Sequence, residues 1–202
     1  MNRPITVVEE RPGLSFAQRW NTYLSLALAV VALALGVTMR DAALNATVTL
    51  EDLEAGIRAQ VPQGWLLDRS GADYVFRAVD PDALPFKTLL QVSIVPVGPD
   101  ATPANVLHQI EIDRPLRFPA YRVISRRNVT LRDGSPAVRL TYAYVQSERN
   151  PALETLPIVV EGVDLVVLRG AQAVIVSYRE ERDSFEDNLY RFENMLNTLE
   201  IF

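Results

Sequence analysis

An α+β fold behind a single transmembrane helix is predicted for this chain, on three observations. An uncharged apolar run of bilayer length, Asn21–Met39, lies near the N-terminus. Downstream, apolar and polar residues alternate over short segments, which is strand spacing. Two further segments, one within the strand series and one after it, carry helix-start signals and helical periodicity. The expected order is about seven strands with one helix between them and one at the end, preceded by one transmembrane helix.

Composition narrows the chemistry. At 202 residues the chain has room for one domain and an extra segment, and its 49% hydrophobic content excludes wholesale disorder. Cysteine is absent, which removes disulfides, thiolate metal sites and a cysteine nucleophile. The single histidine, His108, rules out a multi-histidine metal site. A net charge of −5 and a pI near 5.0 argue against nucleic acid as a partner. Of the 20 basic residues only Lys87 is lysine, a bias that reads as GC-rich bacterial coding.

The membrane segment comes first along the chain. Counted from Trp20, residues 20–39 rise ~30 Å as a helix, the thickness of a bilayer core. Trp20 and Tyr23 stand at one end, where amphipathic rings favour the interface. Arg3, Arg11 and Arg19 precede the span, whereas Arg40 and Arg58 follow it among Asp41, Glu51, Asp52 and Glu54. The positive-inside rule therefore puts residues 1–19 in the cytoplasm and the rest of the chain outside it. A cleaved signal peptide is the rival reading, since small residues (Ala42, Ala43, Ala46) follow the run. Against it stand the length of the run and the long head.

Residues 40–49 read as a linker. Thr49 is positioned to cap a helical turn over Leu50–Ala55, with Gly56 just past its end. Ile57, Ala59 and Val61 alternate as a strand into a Pro62-Gln63-Gly64 turn, and Trp65 is expected to be buried there. Strands follow at Tyr74–Val79 and Leu89–Val97, with Pro96 suited to an edge or bulge. Thr102-Pro103 starts a helix, and Pro115 and Pro119 are expected to stop it. Arg122–Leu131 and Ala137–Val145 form a hairpin about Asp133-Gly134. After a polar break (Gln146–Pro151) come Ile158–Val160, then Val163–Leu168 and Ala173–Tyr178 around Arg169-Gly170. Asp183, with Glu186 three residues on, opens a last helix as a capping box. Phe185, Leu189, Phe192, Met195 and Leu196 share its apolar face.

The phrase Ile57…Val61-Pro62-Gln63-Gly64-Trp65 resembles the opening of PsbP-like domains and their bacterial DcrB-like relatives. The order of the later segments, through the Thr-Pro-capped helix and the Leu131–Ala137 turn to the final helix, is similar too. The resemblance covers about residues 50–202 and implies an antiparallel sheet of about six to seven strands with helices packed on it, in an αβα layering. It also implies a binding or accessory role, since the plant members are extrinsic subunits of a photosynthetic membrane complex. Histidine metal ligands of the family have no counterpart here beyond His108, and the anchor is a departure from the soluble plant proteins.

Candidate chemistry is sparse. His108 lies on the predicted helix between Leu107 and Ile110, with no Gly-x-Ser-x-Gly nucleophile turn to serve. Asp73, Asp80 and Asp82 lack the spacing of a calcium loop. There is no G-x-G phosphate cradle. The strongest functional lead is a run of arginines, Arg114, Arg117, Arg122, Arg126, Arg127 and Arg132. By strand parity Arg122, Arg126 and Arg132 would share a face that could meet anionic lipid or an acidic partner. Ala32 and Gly36, four apart in the span, allow close helix approach.

The reading is a non-catalytic accessory or scaffolding subunit of a larger membrane protein complex, with a photosynthetic or electron-transfer host as the analogy. It has no cofactor and no metal, is anchored in a bacterial cell membrane, and contacts lipid and other membrane subunits but not nucleic acid. Expected partner contacts are Ala32, Gly36, Arg122, Arg126 and Arg132. The alternative is an anchored extracytoplasmic module that binds a small apolar ligand or lipid.

Overall fold

A computed structural model describes residues 15–147 and 157–202. The head with Arg3 and Arg11, and most of the polar break after the long hairpin, lie outside those residues. The chain divides into two units, one ending at Ala46 and one spanning Thr47–Phe202.

Helix α1, Phe16–Leu44, makes up the first unit among the described residues. Its N-terminus is a reciprocal cap that the sequence reading passed over. Gln18 N–H donates to Ser15 Oγ at 3.3 Å, and Ser15 N–H donates to Gln18 Oε1 at 2.9 Å. At the other end nothing breaks the helix before Asn45, so residues 40–44 are helical where a linker was expected. The hydroxyls of Thr22 and Thr38 donate to the carbonyls of Gln18 and Leu35, each at 2.9 Å. Neither leaves an unmet polar group in apolar surroundings. Over Phe16–Ala42 the helix is long and apolar enough to cross a membrane, and none of that stretch is buried by protein.

The second unit opens with a hairpin, β1 (Thr47–Asp52) and β2 (Ile57–Pro62). This corrects the helical turn expected over Leu50–Ala55. Thr47, Val48 and Thr49 are good strand formers, and they pair with Pro62, Val61 and Gln60. Gly56, at φ +65°, turns the hairpin, and a Cβ there would collide with the Phe202 carbonyl. Phe202 N–H in turn donates to Gly56 O at 2.9 Å.

Next come β3 (Leu66–Asp68), β4 (Phe76–Val79), β5 (Leu89–Pro96), α2 (Pro103–Arg117), β6 (Arg122–Thr130) and β7 (Pro136–Gln146). The chain ends with β8 (Ile158–Arg169), β9 (Gln172–Glu181), α3 (Arg182–Asn188), α4 (Tyr190–Thr198) and β10 (Glu200–Ile201). Seven strands form an antiparallel sheet in the order β3-β4-β5-β9-β8-β7-β6, and β1-β2-β10 form a small second sheet. β8 is continuous, not two segments, because Glu161 and Gly162 keep the ladder to Ala143 and Tyr142. Pro96 ends β5 beyond its pairing with β4, so its missing N–H costs no ladder bond on that side.

Helices cover both faces of the large sheet. On one face Val92, Leu165 and Val176 pack with Phe185 of α3, Phe192 of α4 and Ile57 of β2. On the other, Leu140, Tyr142 and Val166 pack with Leu107 of α2 and with Phe86. Trp65 is half-buried, not buried, with its ring capped by the Arg191 guanidinium at 5.6 Å.

Two helix boundaries differ from expectation. Thr102 caps α2 as predicted, its hydroxyl accepting from Asn105 N–H at 3.2 Å. The helix then runs through Pro115 to Arg117. Proline forfeits one backbone bond there, but Arg114 is tied to the sheet and Phe118 N–H closes on Arg114 O at 2.8 Å. Asp183 does not cap the last helix. Glu181 holds that position with no side-chain cap bond, Asp183 falls in the first turn, and the helix is broken at Leu189.

Candidate functional site

The α2 face of the sheet contains a row of buried polar groups. Gln91, Ser93, Asp164 and Ser177 are all buried there, with Asp164 at 0% exposure. Burying a carboxylate is costly unless it is paired and hydrogen-bonded. Arg114 Nη2 donates to Asp164 Oδ2 at 2.6 Å, and Ser177 Oγ donates to Asp164 Oδ1 at 2.6 Å. Arg114 Nη1 also donates to the Tyr142 hydroxyl, and the guanidinium lies 4.8 Å from the Tyr142 ring centre. The ring can lie across the sheet because residue 162, its cross-strand partner, is glycine. A Cβ there would collide with Tyr142.

Ionisation follows the geometry. Burial pulls Arg114 toward deprotonation, but Asp164 and Tyr142 outweigh it and raise its pKa above the ordinary value. Burial raises Tyr142 as well, reinforced by the Asp164 charge. Tyr121, its ring 5.3 Å from that of Tyr142, is pushed by burial from 10.0 up to about 12.

Beside this network lies a cavity of about 210 Å³ between α2 and the strands β5 and β9. Gln91, Ser93, Ser177 and Arg179 line its floor, and Ile110 and Phe118 line its roof. Arg77 Nε donates to Gln91 Oε1 at 3.0 Å, and Gln91 Nε2 donates to Ser93 Oγ at 3.0 Å. Arg77 is seated by stacking 4.2 Å over the Tyr74 ring. The Tyr74 hydroxyl donates to Asp68, which also accepts from Ser70 Oγ at 2.6 Å. Hydrogen bonds from Ser70, then from Tyr74, hold the Asp68 pKa down at about 2.

The expected contact residues do not form one patch. A bulge between Val123 and Ser125 shifts the β6 register, so Arg122 pairs with Ala143 but Arg126 pairs with Leu140. The two therefore face opposite sides of the sheet, contrary to the parity argument. Arg126 forms an ion pair with Glu111 of α2. Arg132 reaches the Asn197 carbonyl of α4 at 3.4 Å, and Arg122 is exposed. In α1, Ala32 and Gly36 are exposed, and a Cβ at Gly36 would meet nothing within 4 Å.

His108 is exposed, its Nδ1 3.8 Å from Glu111. Asp80 is tied to Arg191 at 3.2 Å, and its Oδ1 accepts from Asp82 N–H at 3.0 Å. Among the described residues no cluster of His, Cys, Asp and Glu is suited to a metal ion. Sequence reasoning missed Asp164, Ser177 and Arg179. Their one legible signal was polarity at inward positions of apolar strands, as in Val163-Asp164-Leu165.

No protein-family model matches the chain, and no curated protein matches it either. Solved structures do match in fold. Cyanobacterial PsbP (CyanoP) from Synechocystis sp. PCC 6803 superposes with a TM-score of 0.59 at 15% identity, over 77% of this chain and 92% of that one. LpqN of Mycobacterium tuberculosis, described as involved in cell envelope biogenesis, gives 0.53 at 17% identity, over 77% and 90%. The Saccharomyces cerevisiae Ran-binding protein Mog1p gives 0.50 at 10% identity, over 77% and 95%. At these identities the likeness is one of fold, and the second unit of this chain has a PsbP-like α+β fold.

Proposed function

We propose that the chain is a single-pass, membrane-anchored, non-catalytic accessory or scaffolding subunit of a larger membrane protein complex in a bacterial envelope. Residues 1–19 are cytoplasmic, residues 20–39 cross the bilayer, and residues 50–202 form the extracytoplasmic domain. The observation that carries this is α1, whose apolar side chains from Phe16 to Ala42 are all left uncovered by protein. Burial in lipid relieves that exposure. The PsbP-like fold supports a binding or accessory role, and the envelope role of LpqN supports the location.

Ala32 and Gly36 supply the close-packing face toward a partner helix. Arg122 is the outer-domain contact that is exposed with neither an ion pair nor a side-chain hydrogen bond among the described residues. Arg126 and Arg132 contribute only by leaving Glu111 and Asn197. A second reading, an anchored extracytoplasmic module for a small apolar ligand or lipid, draws on the cavity beneath α2 with its apolar walls Ile110, Phe118 and Ile175.

Solubilisation in mild detergent tests the first reading. The intact chain is expected to co-purify with a stoichiometric membrane assembly, and Ala32→Leu with Gly36→Leu is expected to reduce the yield. Protease added to intact cells should digest the outer domain and spare the head. A lone protein with no assembly, or a mature N-terminus near residues 42–47, would overturn it.

A further inference from the structure

We infer that the cavity beneath α2 is a binding site for a small organic anion, a carboxylate on a compact apolar body. The inference rests on reading the outer unit as a binding module, and the direction of the hydrogen bonds carries it.

Arginine has no acceptor atom, so Arg77 can meet Gln91 only at the amide oxygen. That leaves the Gln91 amide nitrogen to donate to Ser93 Oγ. The Ser93 oxygen accepts that bond, and its O–H, with no acceptor among the described residues, is left to donate toward the cavity that it lines. A chain polarised from a guanidinium outward makes that last donor stronger.

Arg179 adds a second donor. Its guanidinium donates a hydrogen bond to the Tyr144 hydroxyl, but its Nε is buried without a partner and no carboxylate lies within ion-pair distance among the described residues. Its guanidinium sits 5.2 Å from the Phe118 ring centre. The other floor hydroxyl, Ser177, donates to Asp164, whose charge Arg114 already offsets. The interior thus presents unmet donors, and a buried unmet donor costs free energy until an acceptor arrives. Asp73 and Asp113 also line the cavity, but both are exposed to water at its rim.

Size and lining set the rest of the ligand. About 210 Å³ falls below the volume of a drug-sized pocket and suits a single ring or short branched chain. Ile110, Phe118 and Ile175 supply apolar walls for that body. An anion entering here exchanges hydration for charge-assisted bonds from Ser93 and Arg179.

The test uses the full chain in nanodiscs, titrated with benzoate, benzamide, acetate and inorganic phosphate by calorimetry and ligand-observed NMR. Benzoate is expected to bind saturably at one site with a Kd in the millimolar range or tighter, ahead of each of the other three. Arg179→Gln should weaken benzoate by about 10- to 100-fold, the scale of a charge-assisted bond, while leaving benzamide unchanged. Ser93→Ala, which adds no bulk, should weaken it about 3- to 10-fold and guards against a folding defect in the arginine variant. Equal affinity for benzoate and benzamide would overturn the anion site. Saturable phosphate binding without benzoate binding would overturn the apolar body. Absence of saturable binding by any probe, or unaltered benzoate affinity in both variants, would overturn the site itself. None of these failures bears on whether an assembly co-purifies.

Discussion

On the α3–α4 face of the large sheet, Val176 sits between Val92 and Leu165. One residue along the same strands, on the α2 face, Ser177 sits between Gln91 and Asp164. All six side chains are buried. The first row is held by burial alone, which is non-directional and tolerant of small shifts. The second is held by donors and acceptors that must each be met, and it requires Arg114 from a helix distant in sequence. The difference shows where this domain is built for stability and where it keeps groups with chemistry to offer.

The largest effects should come from the apolar face. Phe192→Ala is expected to cost about 3–5 kcal/mol, because the ring is fully buried between the helix and the sheet. Urea unfolding of residues 47–202 measures it, and a loss under about 1 kcal/mol would mean that the two faces are not distinct in this way.

Arg114→Met follows at about 3 kcal/mol, since Asp164 would be left charged and uncompensated. Adding Asp164→Leu should recover most of that loss, as an apolar pair often matches a buried ion pair. A double variant no better than the single one would place the cost in lost packing instead.

Alkaline titration sharpens the comparison, because it acts on the α2 face through Tyr121 and Tyr142. Their folded pKa values are raised, so the stability they contribute is fully present below the ordinary 10.0. It is lost as pH rises through the folded values, from 10.0 toward about 12 for Tyr121. Chemical denaturation across that window should show falling stability, and Tyr121→Phe should flatten the fall. An unchanged slope would take Tyr121 out of the account.

Trp65→Ala should cost about 1–2 kcal/mol, less than a fully buried ring, since part of its area is already exposed. The smallest effect is expected at Arg122→Glu, within about 0.5 kcal/mol for an exposed side chain. A larger change there in the isolated domain would mean that the arginine has a structural partner.

Local signals sufficed for the apolar N-terminal helix, the Thr102 cap, the hairpin about Gly134 and the apolar face of the last helices. Each is written in neighbouring residues: an uncharged run, a hydroxyl before proline, a glycine at φ +84°, apolar residues one turn apart. The resemblance drawn at Ile57–Trp65 extended that reading to the layering of the whole domain. What the sequence could not determine depends on partners far along the chain. Thr47–Asp52 is a strand over its whole length because β2 pairs with it, which extends the strand propensity of Thr47–Thr49 into Leu50–Asp52. The α2 helix passes Pro115 because Arg114 reaches an aspartate 50 residues away. Arg122 and Arg126 part company because one extra residue in β6 reverses the alternation. The candidate site belongs to this second class. Ser93, Asp164, Ser177 and Arg179 carry no motif, and only the pairing of β5, β8 and β9 brings them onto one face. A polar row can survive there because α2 supplies its counter-charge and shields it from water, and no local pattern encodes that contact.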